Sequence, residues 1–331
     1  MNPVLHFNTP IRFQAYFHEK QTLGGDMQQG WRVGVVIPAR NEEAHIATVL
    51  ETLPKSVDLA VVVNDGSTDN TERVAETTKI TTEIAILNTG GIGVGGAIDA
   101  GHKYLIDQFK VPFVSVIMAG DGQMNPNDLN SLVDPVINGQ FDHAKGDRSK
   151  HNKGYNQMPL IRKLASVILS FFTTLASGQR IRDPQCGFTA TSHLVLKEWN
   201  WNRSWNGYGY PNFWLINLAQ QGWRIGHVPV ESIYRTENSG IKPLGFFIRV
   251  GTMMAIEHHR RNISWLLGRN TSIYTFCAFI SYILGWVGMV GGFSISKQAF
   301  WSIEPATFLV TGLLWTIAHI FDRMATVAQH R

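Results

Sequence analysis

Apolar residues fall in short unbroken runs along the first half of the chain and in two long runs near its end. Residues 33–38, 59–63, 84–87 and 113–118 form four short runs, each closed by proline, glycine or a polar turn. Runs of this length, bounded by turn residues, read as strands of a parallel sheet buried on both faces. After the first run, Ile46, Val49, Leu50 and Leu53 follow helical spacing behind Asn41-Glu42-Glu43, which predicts a helix over 41–53 with an acidic first turn. Strands alternating with helices predict an α/β fold, a mostly parallel sheet covered by helices. Ligands of such sheets bind beyond the carboxyl ends of the strands. Asp65 and Asp121 both fall at such ends, so the pattern brings them toward one site.

The last third changes character. Residues 272–293 contain no charged side chain, enough helix to cross ~30 Å of hydrocarbon. Residues 305–321 are a second, shorter apolar stretch, joined to the first by the polar link 294–304. A transmembrane hairpin is the simplest reading, and a pair of core helices is the alternative that the charge-free length disfavours. Arg249, His258, His259, Arg260, Arg261 and Arg269 precede the first stretch and Arg323 and Arg331 follow the second, while the link holds only Lys297 among Lys and Arg. The positive-inside rule then puts both ends, and the large N-terminal domain, in the cytoplasm. Residues 244–267 mix aromatic and aliphatic side chains with the basic cluster, as suits a helix lying in the interface. Residues 160–176 are also apolar but carry Arg162 and Lys163, are too short and too charged to span, and read as a core or interface-lying helix. The first 30 residues are polar and lack the continuous apolar run of a signal peptide. The expected organisation is an extension over 1–30, a catalytic domain over 31–241, a juxtamembrane amphipathic segment over 242–270, and a hairpin with a short tail over 271–331.

Composition agrees with a partly membrane-borne chain. Only 16% of its 331 residues are charged, against ~25% in ordinary soluble proteins. A mean hydropathy of −0.05 keeps the apolar excess local. The formal charge of +4 comes from 29 Lys and Arg against 25 Asp and Glu, too even for a nucleic-acid binder on charge alone. Two cysteines, Cys186 and Cys277, exclude a disulfide scaffold and a cysteine-based zinc site.

Several motifs carry candidate chemistry. Asp65 sits in Val-Asn-Asp-Gly-Ser-Thr-Asp (63–69), where its carboxylate could accept bonds from a base or ribose, although Asp-Gly-Ser is also an ordinary turn. Gly120-Asp121-Gly122-Gln123 places a carboxylate between small residues, with room for Mg²⁺ or Mn²⁺ held jointly with ligand phosphates. Gly91-Ile92-Gly93-Val94-Gly95-Gly96 has dinucleotide-loop spacing but follows the third strand, not the first, so it reads better as a loop passing close to a ligand or another backbone. No Gly-Lys-Ser/Thr element is present, which excludes a Walker-type NTPase. Arg148 could grip a phosphate. Asp183, in Asp-Pro-Gln-Cys-Gly-Phe (183–188), could orient an acceptor or act as a base. Alone, each would pass for a surface ion pair or a turn.

In this order, Val-Val-Ile-Pro-Ala-Arg-Asn-Glu-Glu (35–43), Val-Asn-Asp-Gly-Ser-Thr-Asp, Gly-Asp-Gly-Gln-Met-Asn-Pro (120–126), Gly-Asp-Arg (146–148) and Asp-Pro-Gln-Cys-Gly-Phe resemble glycosyltransferase family 2. The branch is that of the polyprenyl-phosphate, dolichyl-phosphate-mannose-synthase-like enzymes, and the resemblance covers roughly 32–241. It implies a GT-A, Rossmann-like nucleotide-sugar fold and inverting transfer of a hexose from a UDP- or GDP-sugar to a polyprenyl phosphate, for cell-envelope glycan or lipid-linked sugar synthesis at the plasma (inner) membrane. It further implies that Pro38, Arg40, Glu42, Asp65, Gly66 and Asp121 line the nucleotide site. Asp121 and Gln123 would hold Mg²⁺ or Mn²⁺. Asp121, Arg148 and Asp183 would be the catalytic set, and Tyr234-Arg235 would face the acceptor headgroup. The implied partners are the donor, the lipid acceptor and the membrane, with no nucleic acid and with self-association left open.

Three positions depart from the family pattern. Ala119 replaces the first acidic residue of the metal motif, Asn64 a frequent aspartate, and Phe213 an acidic residue in Tyr-Gly-Tyr-Pro-Asn-Phe (208–213). A non-catalytic nucleotide-sugar-binding membrane scaffold is the rival these departures motivate. Another lipid acceptor is a second alternative, and a nicotinamide oxidoreductase, resting on the glycine loop alone, is a distant third. A processive polysaccharide synthase is excluded by the absence of an Arg-Trp dipeptide.

Overall fold

The computed structural model describes residues 30–151, 158, 160–233, 243–267, 271–298 and 305–329. The extension over 1–29, Tyr234-Arg235 and the 299–304 part of the polar link lie outside the described residues. The chain divides into two compact units, one within 25–254 and one containing 255–331.

The larger unit is built on a seven-stranded sheet in the order β3-β2-β1-β4-β6-β5-β7. Its strands are β1 (Arg32–Ala39), β2 (Leu59–Asn64), β3 (Glu83–Asn88), β4 (Phe113–Ile117), β5 (His143–Asp147), β6 (Thr189–Ser192) and β7 (Ile225–Pro229). All neighbours are parallel except β6, which runs antiparallel between β4 and β5. The expected mostly parallel α/β sheet is therefore present, with three further strands that show no apolar run in the sequence. The two faces of β1 and β2 feed separate cores. Val33, Val35, Ile37, Ala60 and Val62 pack on one side, and Val36, Leu59, Val61 and Val63 on the other. This double burial explains why these strands read as continuous hydrophobic runs.

The covering helices are α1 (Ile46–Glu51), α2 (Thr71–Thr77), α3 (Val94–Gln108), α4 (Leu129–Ile137), α5 (Leu160–Ser177), α6 (His193–Glu198) and α7 (Tyr210–Gln220). Helix α1 begins later than the spacing predicts. Asn41 is left-handed at φ 58°, and the Glu42 and Glu43 amides donate to Thr71 Oγ1 and Asp69 Oδ2 across the turn after β2. The acidic pair thus belongs to a clasp between two loops, not to a helical first turn.

Glycine lets α3 lie close to its neighbours. A Cβ on Gly95 would stand 2.0 Å from the Trp205 carbonyl oxygen, and one on Gly101 would stand 2.3 Å from Val36. The first obstacle is backbone, which cannot rotate aside.

Helix α8 (Pro243–Leu267) starts in the larger unit, where Val250, Met253 and Met254 join the second core, and ends in the smaller one. There it is followed by α9 (Ile273–Gln298) and α10 (Pro305–Gln329). Both contain stretches long and apolar enough to cross a membrane, Ile273–Gly291 and Ala306–Thr326. Small residues set their contact, since Trp315 fills the space beside Gly285 and Thr311 the space beside Gly288. Asp322 is buried in an ion pair with Arg261 of α8, which accounts for a carboxylate late in an apolar stretch.

Gly95→Ala should destabilise the larger unit by ~1–3 kcal/mol or more through overpacking. A thermal melt within a degree of the wild type would show that the α3 contact with the 205–206 loop is slack.

Candidate active site

The site grows from the carboxyl ends of β1, β2 and β4. The Asp65 amide donates to the Ala39 carbonyl at 2.9 Å, and the Gly120 amide to the Pro38 carbonyl at 3.1 Å. Asp65 and Asp121 therefore leave the sheet on opposite sides of the Pro38–Arg40 segment. Pro38 is half-buried and Arg40 exposed.

Asp65 is almost fully buried. Its Oδ1 accepts from Thr89 Oγ1 at 2.8 Å and from the Ile92 amide at 2.7 Å, while Oδ2 accepts from the Gly93 amide at 2.8 Å. The carboxylate is thus spent largely on the glycine loop, so it shapes the pocket wall more than it reads a ligand. Gly66 is left-handed (φ 72°), and a Cβ there would touch the Gly91 amide nitrogen at 3.0 Å. The glycine-rich stretch serves close backbone approach, as its place after the third strand suggests. Glu42 is half-buried beside this clasp.

Asp121 is half-buried and its Oδ1 accepts from the Gln123 amide at 3.0 Å, a turn that Gly122 allows at φ 69°. The chain after β7 crosses back over this loop. The Ile233 amide donates to the Gln123 carbonyl at 2.9 Å, Asn125 Nδ2 to Glu231 Oε2 at 2.8 Å, and the Glu231 amide to Asp128 Oδ2 at 2.7 Å. Tyr234 and Arg235 follow directly and lie outside the described residues. Among the described residues no three His, Cys, Asp or Glu gather into a metal cage. One carboxylate and one amide side chain are nonetheless the donor set of a cation carried chiefly by diphosphate oxygens and water.

Arg148 and Asp183 meet each other. Arg148 Nε donates to Oδ2 and Nη2 to Oδ1, both at 2.7 Å, and the Arg148 amide adds a third bond at 3.0 Å. Asp183 is 6% exposed and left-handed (φ 43°). Burial works to raise its pKa, but the Arg148 hydrogen bonds and charge outweigh it and hold the carboxyl below its ordinary range. A carboxylate so held is a poor proton acceptor, so the base role weighed for Asp183 is the one this geometry disfavours.

Sequence reasoning missed Lys145, wholly buried in β5 with Nζ donating to the Cys186 carbonyl. Burial, foremost, pushes the Lys145 pKa down. Also missed was Asn212, which is fully buried, accepts from Gln185 Nε2 and donates to Thr173 Oγ1 at 2.7 Å. Its neighbour Phe213 packs among Trp199 and Trp205. Asn212 and Asn217, two buried amides in a largely apolar helix, were the available signal.

A mostly parallel sheet with polar loops clasped at its carboxyl edge defines an open α/β class of fold, whose ligands bind beyond the strand ends. The comparisons agree. The chain belongs to glycosyl transferase family 2, whose sequence profile matches residues 34–201. It is 31% identical over 215 residues to the UDP-N-acetylglucosamine–dolichyl-phosphate N-acetylglucosaminyltransferase of Methanococcus voltae, covering 60% of this chain and 85% of that one. It is 27% identical over 216 residues to a dolichyl-phosphate β-glucosyltransferase of Trichomonas vaginalis, covering 60% and 65%. Glucosyl-3-phosphoglycerate synthase from Mycobacterium tuberculosis, crystallised with UDP, shares the fold at a TM-score of 0.55 and 21% identity, over 70% of this chain and 82% of that one. Its complex with Mn²⁺ and UDP-glucose gives 0.53 at 21% identity, over 70% and 80%. The protein is a glycosyltransferase with a GT-A fold.

The Arg148–Asp183 pair makes a prediction about pH. A depressed carboxyl stabilises the fold above its unfolded value near ~4 and loses that contribution as pH falls through the lower folded value. Asp183→Asn should lower the unfolding free energy at pH 7 by ~3–5 kcal/mol for a broken buried pair, and should flatten the decline between pH 7 and 3. Parallel curves for variant and wild type would remove the pair from the acid response.

Proposed function

We propose that this glycosyltransferase moves a hexose from a nucleotide sugar to a polyprenyl phosphate at a membrane, with inversion. The observation that carries the reading is the presence, in one chain, of a carboxyl-edge site with one carboxylate beside an amide and of two membrane-length helices. The relatives named as dolichyl-phosphate transferases support the lipid acceptor. UDP is favoured over GDP, because the relative and the structural neighbours that name a nucleotide name UDP.

In this reading a phosphate oxygen of the acceptor attacks the anomeric carbon from the face opposite the leaving group. The bond from that carbon to the diphosphate breaks, and nucleoside diphosphate departs. The acceptor is already anionic, so no strong base is required, which suits the fixed, weakly basic Asp183. Arg148, its plane set by Asp183, would offer guanidinium charge to phosphate. Pro38, Arg40, Glu42, Asp65 and Gly66 would bound the nucleoside pocket, and Tyr234-Arg235 would meet the acceptor headgroup. Asp121 and Gln123 would hold Mg²⁺ or Mn²⁺, which when bound supplies charge neutralisation at the diphosphate. Positioning and electrostatics then account for most of the rate. The basic flanks of the hairpin support a cytoplasmic catalytic unit, and the inner membrane is the proposed location.

The test is transfer of radiolabelled sugar from a panel of UDP- and GDP-sugars to undecaprenyl phosphate, with and without Mn²⁺ or Mg²⁺. Organic-extractable, metal-dependent product from a UDP-sugar is expected, and Asp121→Ala should reduce it by at least ~100-fold. Product formed only on a diacylglycerol or a lipid-linked sugar would replace the proposed acceptor. Metal-independent transfer unaffected by Asp121→Ala would remove Asp121 and Gln123 from the cation site.

A further inference from the structure

Lys145 is a charge placed where stability alone would favour an apolar side chain. It lies in the middle of β5, paired with Thr189 of β6 and His227 of β7, and is wholly buried. A cavity of about 30 Å³ adjoins it, lined also by Ile117, Gly187, Thr189, Tyr210 and Trp214, and no carboxylate stands on its wall. An ammonium enclosed in this way is costly to bury. Among the described residues its one hydrogen bond goes to the Cys186 carbonyl.

That bond fixes a peptide plane. The Cys186–Gly187 peptide is trans, so its N–H points opposite to its carbonyl. With the carbonyl turned inward to Lys145, the Gly187 amide turns outward from the core. It donates to no acceptor among the described residues. The groups on either side of it are committed. The Cys186 amide donates to the Asp183 carbonyl at 3.1 Å, and the Phe188 carbonyl accepts from the Gly146 amide at 2.9 Å. Gly187 is half-buried, and a Cβ built on it would lie 3.2 Å from Met124 Cε. Met124 directly follows the Asp121–Gln123 turn, so the open amide stands where the 121–124 and 183–188 loops meet. A backbone donor at the carboxyl edge, backed by a buried cation that polarises its peptide, suits an anionic oxygen.

We propose that the Gly187 amide donates to a phosphate oxygen in the transfer site and that Lys145 is the positioning residue that aims it. Two sources share that chemistry, the diphosphate of the sugar donor and the phosphate of the lipid acceptor. Lys145 touches neither. It holds the peptide in one orientation, and its charge makes the far end of that peptide a stronger donor. The proposal rests on the reading of the protein as a transferase between phosphates. It adds a backbone group and a buried lysine to the site of Asp121, Arg148 and Asp183.

The sequence offers a direct probe. Cys186-Gly187 is the only Cys-Gly pair in the chain, since Cys277 precedes Ala278. Full-length protein in detergent micelles, labelled with carbonyl-¹³C cysteine and ¹⁵N glycine, therefore gives one carbonyl-edited amide signal. The Gly187 proton should move downfield with UDP and Mg²⁺ if the donor diphosphate is the ligand, or with undecaprenyl phosphate alone if the acceptor phosphate is. A signal unmoved by both would overturn the proposal. This readout needs no turnover, so it is decided separately from the transfer assay. Lys145→Met should weaken binding of whichever ligand moves the signal on the order of tenfold. Its melting temperature should be no lower than the wild type's, because an apolar side chain of similar volume replaces a buried charge. Lys145→Arg, for whose larger head the cavity leaves room, should restore the affinity. Wild-type affinity in Lys145→Met, or a loss that Lys145→Arg does not repair, would overturn the aiming role.

Discussion

The Arg148–Asp183 pair is the interaction on which this end of the candidate site depends. Asp183 sits almost out of water in a left-handed backbone conformation that costs a non-glycine residue energy. Without the guanidinium, a buried carboxylate would be left uncompensated. The same loop receives Lys145 at the Cys186 carbonyl from below, and Arg182 lies 3.9 Å from Asp147. Lys145, Arg148 and Arg182 thus face Asp147 and Asp183, an excess of positive groups. That excess is the electrostatic setting in which a phosphate-bearing substrate would be drawn to this end of the sheet.

Topology delivers those residues there. Strand β6 runs against its neighbours, so its first residue, Thr189, lies at the edge where β4 and β5 end. The segment immediately before it, 183–188, is therefore placed at the carboxyl edge although it precedes a strand instead of following one. Gly146 donates to the Phe188 carbonyl at 2.9 Å and closes the junction. One reversed strand brings motifs from 121, 148 and 183 to a single edge.

This arrangement also marks how far the sequence could be read. Strands β1, β2 and β4 were legible because they are buried on both faces and rich in β-branched and aliphatic residues, and the half-buried edge strand β3 because it keeps an aliphatic run. Strands β5 and β6, His-Ala-Lys-Gly-Asp and Thr-Ala-Thr-Ser, are equally buried yet nearly devoid of hydrophobic pattern. Their burial is imposed by pairing with each other and by private hydrogen bonds, such as His143 Nδ1 with Thr191 Oγ1 at 2.9 Å. Local composition carries no trace of such partners. The same limit applies at the site. Strand ends located Asp65 and Asp121 at the edge, whereas Arg148 and Asp183 joined the site only through the family resemblance, and no spacing rule shows that Asp65 turns to the glycine loop or that Arg148 and Asp183 consume each other's strongest bonds.

The departures from the family pattern become intelligible through neighbours of this kind. Asn64 donates to Glu72 Oε2 at 3.2 Å and to Asn88 Oδ1 at 2.8 Å, and accepts from the Ser67 amide at 3.1 Å. An aspartate could accept from Ser67 but could not donate, and it would set a second carboxylate against Glu72. The amide therefore keeps the turn while avoiding repulsion beside the buried Asp65. Phe213 is likewise a packing residue within the aromatic cluster, and the polar duty at that turn falls to Asn212, one position earlier. In both places the residue present is matched to its neighbours, the Asn64 amide to Glu72, Asn88 and Ser67, and the Asn212 amide to Gln185 and Thr173.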